Sequence, residues 1–216
     1  MFLDSYQEVG QRMLLLSRKS VRELGFTTSN RRYELPSNVF SCLKLTKIDL
    51  KNCFFKQPLE LERFSNLQTL FLLNIDFGAN FCQTEINLPK LKKLFLSNGT
   101  NVYSFNIKVT NLQMLFVYGC HDAMLLRLLH TPCLRLTDNP ELDEGPALNH
   151  LETPLNQLLT VKMTVFEGSR TEILFLKLLL AHSPSLKKFT ITPCGACGVD
   201  IVKDVIQFPE PHQKQK

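Results

Sequence analysis

The hydrophobic residues of this chain recur in short blocks with one spacing. Four blocks carry the pattern apolar-x-x-apolar-x-apolar, at residues 45–50, 67–72, 91–96 and 112–117. Their first leucines, Leu45, Leu67, Leu91 and Leu112, are 22, 24 and 21 residues apart. Repeats of roughly 20–29 residues with this pattern each hold one short strand and a return segment. The pattern therefore predicts strands that lie side by side in one parallel sheet over a continuous core.

Weaker copies of the pattern extend the series to eight expected strands. Their centres are expected near Leu24, Ile48, Leu70, Leu94, Leu115, Leu134, Val161 and Phe189. The predicted fold class is α/β, a leucine-rich repeat solenoid with a curved parallel β-sheet and irregular or helical returns. The clearest helical return runs from Glu172 to His182, because an acidic first turn opens it and Ser183-Pro184 stops it.

The pattern also divides the chain into segments. An N-terminal capping segment, residues 1–20, is followed by the leucine-rich repeats at 21–139. An acidic linker is expected at 140–157, a region that continues the repeats at 158–208, and a disordered polar tail at 209–216. The run from Met13 to Leu16 in the capping segment predicts a short helix. Because a terminal repeat needs a polar cap, this apolar helix is expected to cover the open end of the solenoid incompletely.

Alternate side chains of a strand share one face, so with the leucines inward the positions between them point to the concave surface. Phe71, Phe95 and Phe116 then lie on three neighbouring strands. An exposed apolar patch rimmed by charge is typical of an interaction site. The candidate protein-binding site comprises these rings and their neighbours Tyr118, Leu73, Met114, Lys47 and Lys93. The alternative is a structural role, in which another part of the chain covers the rings.

The position eight residues after the first leucine of each block holds several small residues. They include Cys53, Cys120, Asn139 and Cys194. In such repeats a small polar side chain at this position bonds the backbone of the turn, which predicts a structural role for these cysteines. The odd, scattered set of seven Cys favours free thiols, and no signal peptide or membrane span is evident. A cytoplasmic or nuclear location without membrane contact is therefore expected.

Motifs that carry chemistry are scarce. Cys194 and Cys197 form a single C-x-x-C, whereas zinc requires four ligands. The chain has no P-loop or nucleophile-elbow motif, so no catalytic residue, metal or cofactor is expected, and the protein is not expected to be an enzyme. The net charge of +5 comes from scattered basic residues, so nucleic acid is not an expected partner.

Three stretches of the chain have sequences more specific than the leucine spacing: residues 16–24, residues 35–53 beginning LPSNVFSC, and residues 167–191. They resemble plant F-box proteins that carry leucine-rich repeats and an FBD domain. The third resembles the FBD region itself, so 158–208 is expected to be FBD-like. The resemblance implies a protein-binding leucine-rich repeat module like the substrate-recognition part of an F-box ubiquitin-ligase adaptor.

In that family the F-box binds a Skp-type adaptor, and the repeats are expected to hold the substrate. Met1–Ser20 is too short for the three helices of an F-box. A Skp-type adaptor is therefore not an expected partner of this chain, and the expected partner is a protein on the concave face. The alternative is a truncated remnant or a regulatory scaffold without a ligase role.

Overall fold

The computed structural model describes residues 6–29, 33–54, 58–76, 85–98, 106–119 and 155–194. The helices in these ranges are α1 (Tyr6–Arg18) and α2 (Arg170–His182), with short 3₁₀ helices at Ser37–Ser41 and Pro58–Arg63. The strands are β1 (Glu23–Thr27), β2 (Lys47–Lys51), β3 (Thr69–Leu73), β4 (Glu85–Asn87), β5 (Lys93–Ser97), β6 (Asn106–Lys108), β7 (Met114–Tyr118), β8 (Thr160–Phe166) and β9 (Lys188–Pro193).

Seven of these strands form one open, parallel sheet in the order β1-β2-β3-β5-β7-β8-β9. Each contains one of the strand centres that the repeat pattern predicts. The strand expected near Leu134 lies outside the described residues, and β7 pairs directly with β8. The pattern did not predict β4 and β6, which form a separate two-stranded parallel sheet. The sequence thus located the strands of the main sheet and the helical return α2, which begins two residues before the predicted Glu172, but not the sheet formed by β4 and β6.

The same backbone turn precedes most strands of the main sheet. The N–H of Leu45 donates to the Cys42 carbonyl at 3.1 Å, and the N–H of Leu67 donates to the Phe64 carbonyl at 2.9 Å. Equivalent bonds begin at Leu91, Leu158 and Leu186. Because every turn ends on the first leucine of a block, the strands enter the sheet at one level. This common level keeps equivalent side chains in register across the sheet.

The core lies between the inward face of the main sheet and the return segments. Ile48 and Leu50 of β2 are fully buried, and their counterparts in the neighbouring strands are also buried. From the returns, the core receives Val39, Phe40, Leu61, Phe64, Phe175, Leu176 and Leu179. The rings of Phe40 and Phe64 come from successive returns, and their centroids are 5.9 Å apart. Each unit therefore completes its core with the unit beside it, as stacked repeats require.

Helix α1 packs against the first 3₁₀ helix near β1. Val9 and Met13 are buried, and the Asn38 amide donates to the Gly10 carbonyl at 3.0 Å. Leu15, by contrast, is 59% exposed, and Leu14 is also exposed. A helix in this segment was predicted from the sequence, and it leaves part of its apolar surface uncovered. In the described part of the chain, no helix is both long and apolar enough to cross a membrane.

Candidate functional site

The candidate site lies on what we call the solvent face of the main sheet, the face formed by the side chains that alternate with the core leucines. In β3, buried Leu70 and Leu72 alternate with the half-buried side chains of Thr69, Phe71 and Leu73. The pleat of a strand sends successive side chains to opposite faces. The three half-buried side chains of β3 therefore point away from the core.

Three phenylalanine rings stack across β3, β5 and β7. Phe71 is opposite Phe95 in the strand register, and Phe95 is opposite Phe116. The ring centroids are 3.9 Å and 4.4 Å apart, and the interplanar angles are 14° and 11°. Strand neighbours lie about 4.7–4.9 Å apart, so equivalent rings on adjacent strands pack face to face at this range. All three rings are half-buried, and together they form the phenylalanine stack.

The other residues of the predicted site lie around the stack, with one exception. Leu73 and Met114 are half-buried on β3 and β7, and Tyr118 is 50% exposed at the end of β7. Lys93 is exposed on β5. Lys47 lies on β2, where its Nζ atom is 3.2 Å from a Glu23 carboxylate oxygen. The structure therefore brings the predicted residues other than Lys47 together on β3, β5 and β7, whereas Lys47 on β2 forms an ion pair with Glu23. Binding at these residues stays a prediction.

Ser97 borders the stack and was not singled out by sequence reasoning. It lies between Leu73 and Tyr118 in the strand register and is 7% exposed. Its Oγ atom has no hydrogen-bond partner among the described residues. A buried hydroxyl without a partner costs free energy. Because alternation alone would place this side chain in water, its burial was not readable from the sequence.

Asparagine occupies the turn that follows three strands of the main sheet. Asn52, Asn74 and Asn98 have φ angles of 55°, 53° and 45°. The Nδ2 atom of Asn74 donates to Oδ1 of Asn52 at 2.9 Å, so the side chains also connect neighbouring turns. Gly119 has the equivalent place after β7, with φ 52°, and a Cβ there would lie 2.6 Å from Oδ1 of Asn98. Asn and Gly are the residues that adopt this left-handed conformation most readily.

The turn role expected eight residues after the first leucine belongs instead to the residue seven after it. Eight residues after the first leucine, Cys53, Ile75 and Phe166 are buried in the core, because the left-handed residue before each of them turns the chain inward. Cys194 is exposed, and Cys120 and Asn139 lie outside the described residues. For Cys53 the observed structural role is therefore core packing.

The environment of the buried thiols does not favour reactivity. Burial raises the pKa of the Cys53 thiol to about 12 and also raises the pKa of Cys42. The thiolate is the nucleophile, so both thiols are held in the unreactive form. Cys197, the second residue of the C-x-x-C, lies outside the described residues. Within the ranges that are described, no three His, Cys, Asp or Glu side chains are placed to hold a metal ion.

A carboxylate cradle precedes α2. Oε2 of Glu172 accepts hydrogen bonds from the backbone N–H groups of Glu167, Gly168 and Ser169 at 3.0, 2.7 and 3.0 Å. The Glu172 N–H donates to Oγ of Ser169 at 3.2 Å, which completes a capping box. Glu172 is only 7% exposed. Its carboxylate satisfies the backbone amides of the N-cap residue and of the two residues before it, so we assign it a structural role.

Comparison with known proteins adds a family context to this geometry. Residues 146–191, which include β8, α2 and the carboxylate cradle, match the family model FBD. A stretch of 119 residues is 31% identical to an F-box/FBD/LRR-repeat protein of Arabidopsis thaliana. The resemblance to plant F-box/FBD proteins is thereby confirmed. The match covers 55% of this chain and 28% of that relative, so the chain spans little more than a quarter of its length.

A solved structure, that of a plant ice-binding protein, is also similar to the chain. The similarity covers 82% of this chain and 60% of that one, with 13% identical residues and a TM-score of 0.34. A likeness at this level has no bearing on the fold or the function.

Proposed function

We propose that this chain is a protein-binding module that holds its partner on the solvent face, and that the main sheet is the inner face of a leucine-rich repeat solenoid. The observation that carries the proposal is the phenylalanine stack, three half-buried rings on a sheet whose leucines are buried. The sequential order of the parallel strands supports the solenoid.

The stack is suited to binding because its rings hold one another in place. Phe95 has Phe71 on one side and Phe116 on the other, so little side-chain freedom remains to be lost when a partner is bound. Interface energy concentrates in a few residues, and aromatic residues are enriched among them. A rigid aromatic surface of this kind is an anchor for a partner side chain.

The role we propose is binding without catalysis. Among the described residues, the buried Glu172 carboxylate is used by backbone amides, and the raised pKa of Cys53 disfavours the thiolate. Both groups are thus committed to the structure of the chain. Neither a cofactor nor a metal is part of the proposal.

The similarity to an F-box/FBD/LRR-repeat protein supports a general role in protein interaction. Within that role, we propose the function of the substrate-recognition part of an F-box ubiquitin-ligase adaptor, acting in the cytoplasm or nucleus. The alternative, a remnant or a regulatory scaffold without a ligase role, has the same fold. A substrate that is ubiquitinated less when the stack is removed favours the first role.

Site-directed photo-crosslinking tests the binding proposal. A photoreactive phenylalanine analogue replaces Tyr118 at the rim of the stack, or Leu43 as a control that is similarly exposed but lies outside the sheet. We expect a specific partner from plant extract to crosslink at position 118 and not at position 43. Adding Phe71→Ala and Phe116→Ala to the Tyr118 variant should abolish that crosslink.

Circular dichroism confirms that each variant is folded before the crosslinking is interpreted. Equal crosslinking at positions 118 and 43 contradicts the proposal, because it shows that contact is nonspecific. Crosslinking that persists after Phe71 and Phe116 are replaced contradicts the role of the stack.

A further inference from the structure

The charges on the solvent face are distributed unevenly between its two ends. On β1 and β2, Nζ of Lys47 lies 3.2 Å from a Glu23 carboxylate oxygen, and Nζ of Lys51 lies 3.2 Å from a carboxylate oxygen of Asp49. These four side chains are the charged residues on the solvent-face positions of the two strands. The charges at this end therefore cancel in pairs.

The other end of the solvent face is positive. Across β3, β5, β7, β8 and β9, the charged side chains at solvent-face positions are Lys93, Lys162 and Lys188. All three are exposed, and neither the Lys47–Glu23 nor the Lys51–Asp49 ion pair involves them. Lys162 is opposite Phe116 in the strand register, and Lys93 is on the same strand as Phe95. Three positive charges thus lie on the strands of the stack or within two strands of it, and the described strands place no acidic side chain on this part of the solvent face.

The exposed part of the stack carries the same sign of potential. The near-parallel rings cover one another's faces, so a partner meets mainly their edges. The edge of an aromatic ring carries the positive end of its quadrupole, and the face carries the negative end. The edges of Phe71, Phe95 and Phe116 therefore favour carboxylates, carbonyl oxygens or the face of another aromatic ring.

Single-stranded nucleic acid is also negative, but its fit is poorer. Proteins that bind it stack successive bases on aromatic faces. Both faces of Phe95 are already covered by its neighbours. The stack therefore offers no series of free faces to successive bases, whereas a peptide can meet its edges.

We propose that the solvent face from β3 to β9 binds an extended acidic segment of a partner protein. One apolar side chain of the segment lies on the phenylalanine stack, and its Asp or Glu side chains meet Lys93, Lys162 and Lys188. The inference rests on the proposed function and adds the chemistry of the partner. From β7 to β9 the sheet spans about 10 Å, which an extended peptide covers in about three residues. The recognised segment thus has acidic residues within about three positions of its apolar anchor.

A random peptide library displayed on phage provides a test with a defined probe. The full chain is immobilised, bound peptides are selected, and the enriched sequences are compared with the unselected library. We expect enrichment of peptides in which Asp or Glu lies close to a large apolar residue. The affinity of one selected peptide is then measured at low and high salt, and salt should weaken it because the contacts are surface charges.

Two charge-matched variants locate the interaction. The first carries Lys93→Glu, Lys162→Glu and Lys188→Glu. The control carries Lys44→Glu, Lys90→Glu and Lys187→Glu at exposed positions outside the solvent face. We expect the first variant to bind the selected peptide at least about ten-fold more weakly and the control to stay within about two-fold of the parent chain.

Three outcomes overturn the inference: enrichment of peptides without acidic residues, equal losses in the two charge variants, or competition by a thymidine oligonucleotide at lower concentration than by the acidic peptide. A stack variant with Phe71→Ala and Phe116→Ala separates the inference from the proposed function. Peptide binding that needs the stack but not the acidic residues removes only the inference. Peptide binding that is independent of the stack removes the proposed function as well.

Discussion

The strands of the main sheet end in two different ways. Strands β2, β3 and β5 are each followed by an asparagine with positive φ, and β7 is followed by Gly119 in the same conformation. Strand β8 continues further and has an irregularity in its pairing with β9 between Thr164 and Phe166. Val165 lies there with a φ angle of 59°. The repeat region and the carboxyl-terminal region thus make the same left-handed turn with residues of opposite preference.

The comparison shows that the two regions stabilise this turn differently. Asparagine tolerates the left-handed conformation, and Asn74 also donates to Asn52, so the turn is stabilised locally. For a β-branched residue such as Val165 the conformation is a true outlier. The chain around it is held by fully buried Phe166 and by the Glu172 carboxylate cradle just beyond. In the carboxyl-terminal region, tertiary contacts therefore replace local preference.

The largest expected effects test whether the two regions share one core. Leu94 in β5 and Leu179 in α2 are both fully buried, so replacement of either by Ala should cost about 2–5 kcal/mol of the free energy of unfolding. Urea unfolding followed by circular dichroism measures this. A single transition in both variants is expected, and a second transition in the Leu179→Ala variant would show that the carboxyl-terminal region unfolds independently.

A smaller effect is expected at the carboxylate cradle. Glu172→Gln keeps the shape of the side chain but removes the charge that three backbone N–H groups share, and should cost about 2 kcal/mol. Amide hydrogen exchange should then rise in α2 and β9 more than in β3. Equal acceleration in all three would mean that the cradle supports the whole sheet rather than its own region.

A pH-dependent effect is expected in the repeat region from Cys53. The thiol has an ordinary pKa of 9.0, and burial raises it to about 12. Above pH 9 the unfolded chain therefore loses this proton while the folded chain keeps it, and stability falls as pH rises towards 12. The loss attributable to Cys53 should be about 1.4 kcal/mol at pH 10, with one pH unit equal to about 1.36 kcal/mol. Urea unfolding at pH 8 and 10 measures it, and Cys53→Ala should lack this part of the dependence.

The smallest expected effects come from exchanging the turn residues of the two regions. Val165→Asn should stabilise the chain by about 1 kcal/mol, because asparagine pays less for the left-handed conformation. Asn74→Val should destabilise it by at least as much, since it also removes the hydrogen bond to Asn52. Thermal unfolding compares the two variants. A Val165→Asn variant less stable than the parent would show that packing of the valine outweighs its backbone strain.

Much of the candidate site could be predicted because the side-chain period of a strand is fixed. Once the inward leucines were recognised, Phe71, Phe95 and Phe116 had to share the opposite face. Their stacking was not predictable, since it depends on rotamers and on the distance between strands. Stacked rings stabilise one another, so Phe95→Ala is expected to lower the free energy of unfolding more than replacement by Ala of a side chain that is surrounded by water. The ion pair of Lys47 and the burial of Ser97 also depend on neighbouring strands.

The sequence by itself determined the positions and order of the seven described strands in the main sheet and the position of α2, because leucine spacing and helix-end signals are local properties of the chain. Only the tertiary structure decided the remaining features. The sheet of β4 and β6 forms only when two separate returns meet, and the role of the turn asparagines is defined by their positive φ angles. The positive end of the solvent face appears only when β5, β8 and β9 lie in one sheet, since Lys93 and Lys188 are 95 residues apart in the chain.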